Sequence, residues 1–151
     1  MELRSVEELM DLLYTCRGDT VPPDRHGRRA DPYDHALRTA ALLRRRRPAD
    51  KELQVAGLVH DIGRLLGPGA GDGFADRAAD AVHGLFGERV SRLVRQQAAG
   101  HGGHPHDEDA QALRQADEEA RTDGPDAGVL EDWRTVLELV AARNSRLGAV
   151  D

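Results

Sequence analysis

His60 and Asp61 stand side by side in the apolar run "GLVHDIGRLL", residues 57–66. Ionisable side chains are seldom buried without a partner, because leaving water costs them too much. Something inside the protein must therefore meet this pair, or the pair must lie on a wet face. A metal ion is one such partner, and two imidazoles with a carboxylate suit iron, manganese or zinc better than magnesium or calcium. If a helix runs through the pair, the two side chains project about 100° apart. They could then grip a cation only between them, with further ligands arriving from other helices. His35, on the preceding helical stretch, is well placed to supply one. The other reading of His35, His60 and Asp61 is a polar cluster satisfied by its own hydrogen bonds.

The elements that must position these residues are read from apolar periodicity, which recurs at helical spacing along the chain. Val6, Leu9, Met10, Leu12 and Leu13 make a first amphipathic helix with Ser5 as its N-cap. "RGDTVPPDRHGRRADP" is a loop by its Pro and Gly content. Asp34 to Arg46 reads as a second helix packed through Ala36, Leu37, Ala40, Ala41 and Leu43. Asp50 caps a third that runs to about Leu66, with Leu53, Ala56, Gly57, Val59, His60, Gly63 and Leu66 inward. "GPGAGDG" breaks it. This stretch is a plain loop rather than a phosphate cradle, since no strand precedes it and no Lys-Ser/Thr follows. Further helices are expected over 74–84, 87–99, 107–121 and 127–146. The expected architecture is all-α and compact, one domain over residues 1–151, with no internal repeats and no sustained heptads.

Composition narrows the function classes. The net charge is −6, and Lys51 is the only lysine among 21 basic residues. An acidic chain argues against nucleic acid as a primary partner. No apolar stretch approaches the roughly 20 residues of a membrane span, and the N-terminus is too acidic for a signal peptide. The single Cys16 excludes an intramolecular disulfide and a thiolate-rich zinc site, which fits a cytoplasmic protein. The run Arg44–Arg47 before Pro48 reads as a helix C-terminus that complements the macrodipole and is stopped by proline. Its other reading is a site for an anionic ligand. Tyr33, two residues before His35, is either a core aromatic or a gate over a pocket.

The stretch "YDHALRTAALLRRRRPADKELQVAGLVHDIGRLL" resembles the opening of the HD-domain superfamily, in which a first His and a later His-Asp pair sit on adjacent helices. "HGLFGERVSRLVRQQAA" is similar to the corresponding helix of the small HD-domain di-iron oxygenases, which include the phosphonate-cleaving oxygenase. The resemblance runs from about residue 5 to residue 122. It implies an HD-type helical bundle, with His35, His60 and Asp61 as metal ligands. In those oxygenases two irons share the Asp of the pair. The next ligand position falls here on Phe74, and the last His position on Gln97 or its neighbour Gln96. Two such replacements should abolish a normal second metal site.

Other residues bear on the gap. His83 comes close to the family spacing if the "LFG" anchor is ignored. His101 lies one turn beyond Gln97, where the oxygenases carry a lysine that contacts substrate, and His104 and His106 follow. That cluster reads as an exposed loop or as a substituted anion or metal contact. "ALRQADEEART" resembles the late helix of HD phosphohydrolases, in which an Asp after Ala completes a one-metal site. Asp117 would then join His35, His60 and Asp61; otherwise it is an ordinary charge on an acidic face with Glu118 and Glu119. Arg64 stands where phosphohydrolases often carry a carboxylate that activates water. An arginine there counts against standard hydrolysis, and could bind an anionic substrate or pair with Asp61.

The leading expectation is therefore a divergent HD-domain metalloenzyme of the oxygenase-like branch. It would hold at most one metal, iron or else manganese or zinc, and act on a small anionic metabolite. His35, His60, Asp61 and Asp117 are the expected ligands, and Arg64, His101 and Tyr33 the expected catalytic or substrate-contacting residues. A one-metal HD phosphohydrolase is the first alternative. A non-catalytic HD protein without metal, binding a ligand or partner, is the second.

Overall fold

Ser5 opens the first helix as a cap, its Oγ accepting the Glu8 N–H at 3.2 Å and so satisfying one of the orphan donors of the first turn. The computed structural model describes residues 3–15, 32–60, 62, 74–98, 108–122 and 128–149. Within them the helices are α1 (Val6–Thr15), α2 (Pro32–Arg46), α3 (Lys51–Val59), α4 (Phe74–Phe86), α5 (Glu88–Ala98), α6 (Glu108–Thr122) and α7 (Arg134–Ala149). A 3-10 turn, Leu130–Trp133, leads into α7. The described residues contain no strand, and none of their helices is long and apolar enough to cross a membrane. The all-α expectation therefore holds. The loop before α2 and the Gly-rich linker 67–73 lie outside the described residues.

Pro32 starts α2 two residues earlier than expected, at a position where a missing N–H costs nothing. Arg44, Arg45 and Arg46 fill its last turn, facing the negative end of the helix dipole. Three of the four arginines in the run are engaged. Arg44 lies over the Trp133 ring at 4.8 Å, Arg46 pairs with Glu119, and Arg47 reaches Asp109 at 3.3 Å. These contacts tie the end of α2 to α6 and to the turn before α7. Tyr33 is a core aromatic: it stacks on Tyr14 at 5.8 Å, and its hydroxyl accepts the Leu130 N–H at 3.1 Å.

The third helix departs most from the periodic reading. It is shorter, ending at Val59 with His60 as its C-cap instead of running to Leu66. At that end the His60 ring turns back on the helix, its Nδ1 meeting the Gly57 carbonyl at 2.6 Å, the acceptor that the next residue would use in a continuing helix. His60 thus closes the helix instead of sitting within it, and Asp61, its partner in the 100° reading, lies outside the described residues. Nor is α3 amphipathic. Every residue from Leu53 to His60 is buried, which makes it the central helix of the bundle. Gln54 survives there because its Nε2 donates to the Arg47 and Pro48 carbonyls at 2.8 and 3.2 Å, closing the end of α2.

α2 lies against α3 and α6, while α5 lies against α3, α4 and α6. α7 closes over α1, α3 and α4. Leu37, Leu43, Leu53, Leu58, Ile62, Phe86, Leu93, Leu113 and Trp133 fill the interior. Gly57 lies where α2 packs on α3. A Cβ there would stand 2.5 Å from Leu43 Cδ1 and 3.5 Å from the Ala40 Cα, so a larger residue would displace the end of the Leu43 side chain while the backbone of α2 stays at contact distance.

Candidate metal centre

That close approach brings His35 and His60 face to edge. Their ring centroids are 5.5 Å apart with planes at 63°. His35 comes from the first turn of α2, where the Thr39 hydroxyl donates to its carbonyl at 2.8 Å. His60 is aimed by its bond to Gly57. Asp117, on the third turn of α6, completes the group, with Oδ1 2.6 Å from His35 Nε2 and 3.1 Å from His60 Nε2. Relative exposures are 6% for His35, 1% for His60 and 7% for Asp117, so solvent does little to screen them. Asp117 is no ordinary charge on an acidic face; Glu118 and Glu119 point to solvent and it points inward.

Counting donors and acceptors shows what this site needs. A carbonyl oxygen only accepts, so a proton must sit on His60 Nδ1. A carboxylate oxygen also only accepts. His60 Nε2 therefore faces Asp117 Oδ1 at 3.1 Å as two lone pairs, unless a second proton or a cation lies between them. Protonating Asp117 instead is opposed by its surroundings. Burial alone would push its carboxyl up, but the hydrogen bonds and charge of His35 and His60 outweigh this and hold it well below the usual carboxylate range. The site is built for positive charge beside Asp117.

The three donor atoms lie within 4.8 Å of one another, and the trio could hold one metal ion. Ligands at roughly 2.1 Å from one ion stand about 3 Å apart at right angles and at most about 4.2 Å apart. Shifts of about half an ångström would bring the trio within that range. His60 has the arrangement usual for a metal-ligating histidine, with its second nitrogen donating to a backbone carbonyl. His35 lacks it: its buried Nδ1 has no hydrogen-bond partner among the described residues.

The other expected site residues are placed unevenly. Asp61, Arg64, His101, His104 and His106 lie outside the described residues, as do the side chains of Phe74 and Gln97. His83 does not join the trio; it pairs with Glu88 at 2.8 Å on the surface. Gln96 is partly buried, with an Oε1 that has no partner. Tyr33 packs in the core as described above.

Arg38 had no part in the expected site. It lies one turn after His35 on α2, half-buried, and its Nε is buried without a hydrogen-bond partner. The signal was a charged residue inside the packing stretch Ala36–Leu43. No protein-family model matches the chain, and no curated protein matches it either.

Proposed function

We propose that the chain is a divergent HD-type protein that holds one metal ion at His35, His60 and Asp117 and hydrolyses a small phosphate ester. The observation behind this reading is Asp117. It joins the two histidines in one buried group, and these are three of the four ligands, with Asp61, that the resemblance to HD phosphohydrolases implies. Iron, manganese and zinc suit two imidazoles and a carboxylate. Such an ion, when bound, polarises a phosphoryl oxygen and lowers the pKa of water.

The chain's own groups do the rest. The Gly57 carbonyl keeps the proton on His60 Nδ1, so that Nε2 presents its lone pair toward Asp117, where the ion would be held. Asp117 supplies the negative charge, and the packing of α2 on α3 fixes the angle between the rings. Because Arg64 replaces the carboxylate expected to activate water, turnover should be slow.

Release of nitrophenol from p-nitrophenyl phosphate by manganese-loaded protein tests the reading. The expected result is metal-dependent release that is lost in His60→Ala and Asp117→Asn. Oxygen consumption with a phosphonate substrate, and no phosphate release, would support the oxygenase-like alternative instead. Neither activity, in protein that binds no metal, would leave the non-catalytic reading.

A further inference from the structure

The arginines whose side chains are described sort into four kinds. Arg44, Arg46, Arg47, Arg89, Arg95 and Arg134 lie over a ring or pair with carboxylates. Arg4, Arg45, Arg92 and Arg143 stand exposed, where water serves them. Arg77 and Arg114 have partners of their own. Among the arginines whose side chains are described, only Arg38 is partly buried without an ion pair or hydrogen bond, and its Nε–H is fully buried. Partial desolvation of an unpaired guanidinium is unfavourable, and folded proteins seldom leave it so without a reason.

Its position supplies one. Residues three apart on a helix are surface neighbours, and helical side chains lean toward the N-terminus, over the preceding turn. Arg38 therefore lies along the turn that carries His35. The buried His35 Nδ1, one turn away, is likewise without a partner. Two unpartnered buried nitrogens on successive turns, beside the His35, His60 and Asp117 group, point to a ligand that brings its own acceptors. Carboxylates are not what Arg38 meets here: Asp34, a turn earlier on α2, forms no ion pair with it, and Asp117 faces the histidines.

We propose that Arg38 is the anion-binding residue of this site and receives a phosphoryl oxyanion next to the metal. The inference rests on the one-metal reading and names the substrate group that the site selects. A guanidinium presents its N–H donors as a planar fork that matches two oxygens of a tetrahedral oxyanion. Phosphate fits this better than a neutral group, which would leave the positive charge uncompensated.

Inorganic phosphate titrated calorimetrically into wild type, Arg38→Gln and Arg38→Lys, each with and without manganese, tests the proposal. With manganese bound, Arg38→Gln should weaken phosphate binding at least tenfold. Arg38→Lys, which keeps charge but loses the fork, should fall between. Manganese affinity should stay within about twofold, and the melting temperature should hold or rise, because no native partner is lost. A structural role would instead lower the melting temperature and spare phosphate binding. Phosphate affinity equal to wild type in both variants overturns the proposal. If wild type binds no manganese, the one-metal reading fails by itself. Arg38 is then judged on the metal-free titration, where phosphate binding lost in Arg38→Gln keeps the anion site and no such loss removes it.

Discussion

At the start of α3, Asp50 meets a guanidinium; at its end, His60 meets a carboxylate that His35 already approaches. The first cluster joins Arg89 to Asp50 through two bonds of 2.7 Å, to Asp109 at 2.9 Å and to Glu52 at 3.2 Å, with Arg47 closing on Asp109. The second gathers His35, His60 and Asp117. Both draw on α2, α3 and α6 or the residues capping them, and Asp109 and Asp117 lie about 12 Å apart along α6. The first keeps its side chains between 22% and 38% exposed and matches donors to acceptors. The second is nearly dry, with exposures of 1% to 7%. The rim network links helix ends through charge pairs that water partly screens; the buried group gathers two imidazoles and a carboxylate where screening is weak, and it could hold one metal ion.

The largest contrast should come from removing one group at each cluster. Asp117→Asn is expected to weaken manganese binding by more than about a hundredfold, measured by calorimetry. Arg89→Met should leave that affinity within about threefold and cost about 1–2 kcal/mol of stability, measured by urea unfolding. That cost should shrink at high salt, which screens charges at the rim.

Gly57→Ala comes next. The new methyl meets Leu43 in a filled core, so about 1–3 kcal/mol should be lost. Because Gly57 also carries the carbonyl that aims His60, manganese affinity should fall as well, by about tenfold. A stability loss with unchanged affinity would show that the site does not depend on the close approach of α2 and α3.

The smallest effect is in acid. Burial opposes ionisation of Asp117, but its histidine partners win and hold the native carboxyl below its unfolded value. The native state therefore binds this proton less readily than the unfolded chain. Its stabilisation is complete above the unfolded value of about 3.9 and drains away as the pH falls below it. Asp50 behaves in the same direction through the hydrogen bonds from Arg89, but its side chain is less buried than that of Asp117 and counts for less. Urea unfolding below about pH 4 should lose more of its pH dependence in Asp117→Asn than in Asp50→Asn.

The helices were legible because apolar spacing and end signals agree: Ser5 and Asp50 cap where expected, and Asp50 Oδ1 accepts the Leu53 N–H at 3.1 Å. The end of α3 was not. Periodicity continues through "VHDIGRLL", and nothing in spacing reports that the His60 ring would take a helix carbonyl. The burial of α3 on all sides also escaped an amphipathic reading, although "LQVAGLV" carries Gln54 as its one polar residue. His35 and His60 could be paired from the sequence through residue type. Asp117 could be reached only through resemblance, since nothing local separates it from Glu118 and Glu119. Arg89 and Arg38 were out of reach for the same physical reason: whether an arginine finds a partner depends on helices that meet only in the fold.

Metal stoichiometry tests the central claim most directly. Protein purified without chelator and titrated with manganese should bind one equivalent, and Asp117→Asn should bind none at the same concentrations. No binding by wild type, two equivalents, or unchanged binding in Asp117→Asn would contradict a single ion held by His35, His60 and Asp117.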